Sequence, residues 1–124
     1  MTLDTRSKIL TISDAAALAG AVFVAMHLDP LTASHAARVA ELAAPGRPVV
    51  ILLYDLPDPL LPLAARAELA ASLSMVQAVI PVPDERAAAQ AESLGAVDER
   101  AADLVRRQAL MRHVFEKHAT SAAG

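Results

Sequence analysis

The chain has 124 residues, a size for one domain, with a formal net charge of −3 and a pI of about 5.7. It has no cysteine, which excludes disulfides, thiolate metal sites and cysteine nucleophiles; its only aromatic residues are Phe23, Tyr54 and Phe115, too few for the base stacking that single-strand nucleic-acid binders use. Alanine fills 29 of the positions, so the core is expected to be built from Leu, Val, Ile and Ala, and no apolar run is long enough to span a membrane.

No basic patch of nucleic-acid type stands out. No continuous apolar leader follows Asp4, Arg6 and Lys8, so a soluble cytoplasmic protein is the expectation. Residues 1–7 read as a polar tail and residues 8–12 as a short extended lead-in. Ser13 and Asp14 precede a brief capped helix over 15–18, which Gly20 ends. Residues 21–26 are apolar without alternation, as in a strand covered on both faces. Thr32 is the expected N-cap of a helix over 33–44, stopped by Pro45 and Gly46.

Residues 49–53 form the second expected strand. A loop over 54–62 follows, and Pro62 suits the first turn of a helix over 63–73. The third strand is expected over 76–82, and Asp84 caps a short Ala-rich helix ending near Gly95. Residues 98–118 carry the longest helical pattern. Ala101, Leu104, Val105, Gln108, Met111 and Phe115 fall on one stripe, expected to be buried against the sheet or across a dimer. Arg106, Arg107 and Arg112 read as a solvated face, His113 and His118 as too far round the helix to share a metal, and residues 120–124 as a fraying end.

Strands alternating with helices predict an α/β fold. It would be a Rossmann-like open parallel sheet with helices on both faces and a long C-terminal helix. In such sheets ligands sit beyond the carboxyl ends of the strands, which places the loop over 26–35 at the ligand edge. That loop leads into a helix N-terminus, whose free N–H groups favour an anion.

Four stretches carry a family likeness. Lys8-Ile9-Leu10 is a lead-in to a first helix. Leu28-Asp29-Pro30-Leu31-Thr32-Ala33-Ser34-His35 is close to F-D-P-x-[HT]-x-G-H. Residues 66–73 look like an R-A-E-x-L-x-x-L helix, and residues 76–85 look like the strand after it. On these the chain resembles the nucleotidylyltransferases of the adenylyl/cytidylyltransferase type, nearest the heptose 1-phosphate adenylyltransferase domains. The whole chain then reads as a single domain with a family-like core over 8–85 and a divergent C-terminal helix over 96–119.

The resemblance implies a Rossmann-like fold and nucleotidyl transfer, in which a phosphorylated substrate attacks the α-phosphate of a nucleoside triphosphate and pyrophosphate leaves. It implies a nucleotide or phosphate site at Met26, His27, Leu28, Asp29, Thr32, Ser34 and His35. His35 matches the signature's final histidine and is the one candidate catalytic residue. Mg²⁺ would accompany a bound triphosphate, and no resident metal is implied.

The chain also departs from the pattern. Ser34 stands where the family has a glycine that lets the nucleotide approach the backbone. Met26 and His27 replace Gly-Cys, and Met26 is expected to crowd the phosphates. The basic loop after the second strand has shrunk to residues 55–59, with two acids and no base. Nothing after Glu85 matches the family's further strand and second phosphate signature.

His27, His35 and Asp29 do not suffice for a metal site, and Asp29 before Pro30 reads first as a turn former. Three functions remain open. The first is a degenerate relative with weak or no catalysis that holds a nucleotide or phosphorylated metabolite. The second is an active enzyme completed by a partner chain. The third is a non-catalytic interaction or oligomerisation module. A homodimer is expected in any of the three.

Overall fold

In the computed structural model residues 4–18, 20–43 and 46–123 are described, the last six of them as backbone alone. The expectations for residues 1–3, for Ala44 and Pro45, and for the side chain of His118 fall outside the described residues.

Three aliphatic segments form the centre of the molecule: β1 (Val22–Met26), β2 (Val49–Tyr54) and β3 (Val76–Val82). Two helices, α1 (Ala33–Ala43) and α2 (Leu63–Ala71), connect them, and α3 (Glu85–Glu92) follows β3. A two-residue strand, β4 (Val97–Asp98), leads into the long helix α4 (Arg100–Ala123). The sheet order is β3-β2-β1-β4 and every neighbouring pair is parallel. This is the Rossmann-like α/β architecture that the alternation of strands and helices predicts.

Each strand splits its side chains between two cores because successive residues point to opposite faces. Val49, Ile51 and Leu53 of β2 join Val24 and Met26 of β1 beneath Val39 of α1 and Ala67, Ala70 and Ala71 of α2. Val50 and Leu52 pack on the other face with Ala78, Ile80 and Val82, covered by Ala15, Ala87 and Ala91. Burying a residue such as Ile51 or Leu52 completely contributes roughly 1.5–3 kcal/mol. The alanines of α2 and α3 let those helices lie close on the sheet. Alanine is therefore part of the packing here and not only a helix former.

Local chemistry sets the element ends. Asp84 accepts a hydrogen bond from Ala87 N–H and starts α3. After α1, the N–H groups of Gly46 and Arg47 both donate to the Ala43 carbonyl, and Gly46 takes a φ of +85° that other residues adopt with strain. Asp14 accepts from the N–H and hydroxyl of Thr11, three residues back, across the start of a 3-10 helix over Ile12–Leu18 that begins before the expected helix over 15–18. Ile9 bridges to Val79 on the outer side of β3, and Pro81 removes a donor from the same edge.

The C-terminal third differs from expectation in three ways. A fourth strand exists, although two residues carry too little pattern to be seen in sequence. The helix starts at Arg100 and runs to Ala123, through the stretch expected to fray. The apolar stripe does not face the sheet: Val105 is 67% and Phe115 69% exposed, and Leu104 and Val114 are exposed as well. The inward side of α4 is polar, carrying Asp103 and the partly buried Arg106 and Arg107. Among the described residues no helix is long and apolar enough to cross a membrane.

Candidate functional site

Strand order reverses between β1 and β4, so the crevice at their carboxyl ends is where a ligand of this architecture would sit. The loop after β1 lies there. Met26, the last residue of β1, is fully buried in the core beneath α1 and α2. The expectation that it crowds a phosphate is therefore corrected: an apolar strand residue with its side chain on the helix-covered face is core.

His27 is also buried, and its Nδ1 lies 3.1 Å from the Tyr54 carbonyl oxygen. Leu28 follows with φ of +52°, a left-handed conformation rare for a bulky residue, while its side chain is wholly buried. That reversal turns the N–H groups of His27 and Leu28 the same way, and both reach Asp103 Oδ2, at 2.9 and 3.4 Å.

Asp29 is more than a turn former. It is buried, it accepts from Leu60 N–H at 2.7 Å and Leu61 N–H at 2.9 Å, and Arg107 Nε lies 3.3 Å away. It ties the loop after β1 to the loop after β2, and both to α4. The Asp29-Pro30 peptide is cis.

Thr32 precedes α1, and its N–H donates to His35 Nδ1 at 3.0 Å. Its hydroxyl lies 2.8 Å from the same nitrogen and 3.1 Å from the exposed Ser34 hydroxyl. This is a capping box in which histidine replaces the usual glutamate or glutamine. His35 is only 2% exposed. Because Nδ1 accepts, Nε2 carries the proton in the neutral ring. Nε2 lies 3.1 Å from Asp103 Oδ1, close enough for electrostatic contact but out of line for a good hydrogen bond.

Four donor groups thus surround one carboxylate: His27 N–H, Leu28 N–H, His35 Nε2 and Arg106 Nη1, the last 3.0 Å from Oδ1. Burial pushes Asp103 up, but the His35 contact and the N–H groups of His27 and Leu28 outweigh it and hold the carboxyl below its ordinary range.

From sequence alone, Asp103 is assigned no role at this site. A signal was available in principle: an acid three residues before an arginine, on the face opposite an apolar stripe. The side on which the helix docks was not readable.

Arg66 is the second missed residue. It is completely buried on α2 and reaches four acceptors: the carbonyls of His27 at 2.9 Å, Tyr54 at 3.2 Å and Leu61 at 3.0 Å, and Asp55 Oδ1 at 2.6 Å. An arginine among the alanines of a buried helix face was its sequence signal. The solvated-arginine reading is corrected too. Arg106 engages Asp103, and Arg107 engages Asp29 and the Asp58 carbonyl; Arg112 is exposed. Arg38 pairs with the buried Glu99, and Glu99 N–H donates to the Ala25 carbonyl, pinning the start of α4 to the end of β1.

Beside this closed rim is a shallow cleft of about 250 Å³ lined by Tyr54, Asp55, Val82, Pro83, Asp84, Glu85 and Ala88. Three of its lining residues are acids, a poor setting for a triphosphate. Arg100 covers the Tyr54 ring at 4.3 Å and pairs with Asp98. Among the described residues no three His, Asp or Glu side chains gather so as to hold a metal ion. No protein-family model matches the chain, and comparison with curated proteins finds no match.

Proposed function

We propose that the chain is a nucleotidylyltransferase-like protein without transfer chemistry, working as a non-catalytic binding module. The likeness of residues 28–35 and 66–85 to that family and the Rossmann-like sheet support the relationship. The observation that carries the loss of catalysis is the Asp103 carboxylate, which already occupies the donors a phosphate would need. Nucleotidyl transfer depends on positive charge aimed at the phosphates. Here Arg66, Arg106 and Arg107 are engaged by the protein's own acceptors, and the neighbouring cleft is acidic. The test is pyrophosphate release from ATP or CTP with Mg²⁺ and a sugar phosphate. No release above the enzyme-free blank is expected, and robust turnover overturns the reading.

The exposed row on α4 supports a second reading, that the module associates with another copy of itself through this helix. Leu104, Val105 and Phe115 are exposed along one side of the helix, an unusual grouping for a lone domain.

A further inference from the structure

We infer that Asp103 is a tethered occupant of an anion site, and that the first turns of α4 are a latch which a phosphate-bearing ligand of the same site displaces. The inference rests on reading the loop after β1 as an anion cradle. It does not depend on the loss of catalysis.

Three donors belong to the cradle itself and would stay behind if α4 moved: His27 N–H, Leu28 N–H and His35 Nε2. They come from a left-handed turn and from the first turn of an 11-residue helix, two backbone arrangements that favour negative charge. The side chain among them is the telling one. His35 Nε2 is buried, has no well-aligned acceptor, and lies 3.1 Å from the carboxylate that fills the space. A carboxylate offers two oxygens and is held from one side by its own helix. A phosphate monoester offers three and could meet all three donors.

Asp103 has a competitive advantage because its effective concentration is set by the short path from β4 through Glu99 into α4. Beyond Asp103, α4 is held at this end by the Glu99–Arg38 pair, by Glu99 N–H on the Ala25 carbonyl, and by Arg107 on Asp29 and the Asp58 carbonyl, while its apolar stripe contributes little because it faces outward. Filling the cradle with an external anion therefore removes the ties made by Asp103 and adds a like charge against it.

The experiment uses the full chain carrying Asp103→Ala, with the melting temperature followed against inorganic phosphate at constant ionic strength. A saturable rise is expected, about 5 °C when phosphate reaches tenfold its Kd. Wild type should stay flat over the same range, and adding His35→Ala to the variant should remove the rise. Amide exchange over residues 100–110 should be faster in Asp103→Ala than in wild type, with β1 to β3 unchanged. If Asp103→Ala fails to fold, Asp103→Asn is measured in the same way.

A flat phosphate response in the variant that folds overturns the anion site. A rise equal to that of an Asp98→Ala control does the same, because it marks general anion stabilisation. Unchanged exchange in α4 overturns the latch. None of these outcomes alters the pyrophosphate assay on wild type, so the two readings fail separately.

Discussion

Arg66 and Asp103 are buried charges with opposite tasks at one rim. Arg66 collects carbonyls from the ends of β1 and β2 and from the loop before α2; Asp103 collects N–H groups from the turn after β1. Replacing Arg66 with Ala strands three backbone carbonyls in a buried setting and is expected to cost ~3 kcal/mol, read by urea unfolding. The Asp55 pair adds little to that figure because Asp55 is partly exposed and its charge is screened.

Asp103 makes a separate prediction about pH. Its carboxyl is held below the ordinary value in the folded state, so its contribution is complete above a pH of about 4 and is lost as the pH falls through the lowered value. Asp103→Asn should lower stability at neutral pH and flatten the acid limb of the stability curve, measured by denaturant titration at several pH values. At this scale the sequence was legible only in part. It placed Thr32, Ser34 and His35 together because one helix start spans them. It could not place Asp103 or Arg66, because their partners lie far along the chain and no local pattern encodes a contact across 76 or 39 residues.

Among the elements, the strands were the easiest to read and α4 the hardest. The strands β1 and β2 are unbroken apolar runs and β3 is interrupted only by Gln77, and structure and sequence agree on them to within a residue. In α4 the periodicity was visible but its meaning was not. A stripe of Leu104, Val105, Met111 and Phe115 normally implies burial, yet polar contacts orient this helix, and Leu104, Val105 and Phe115 are left outside while Met111 is half-buried. An apolar row on a helix that projects beyond its domain suits a partner helix, and a second copy is the simplest one. Replacing Val105 and Phe115 with Asp should leave the fold intact and convert a self-associated species to monomer, measured by sedimentation. A wild type that sediments as monomer at all concentrations removes the reading.

For the molecule as a whole, the parallel sheet divides the labour. Its β3 side and both helical faces build the apolar cores, while its β1–β4 side carries the polar rim. The fold class was readable because two-sided burial leaves a strong trace in composition. The closing of the rim was not, since it depends on where a polar helix face lands.

The hydrogen bonds that finish the rim join positions 75, 76 and 78 apart in the chain. Contacts of such long reach form only after most of the intervening backbone has been ordered. The sheet β1-β2-β3 can assemble from nearer neighbours, so its carboxyl edge is expected to stand hydrated and unguarded until α4 arrives. A chain that folds in this order would present the turn after β1 to solvent ions before its own aspartate reaches it.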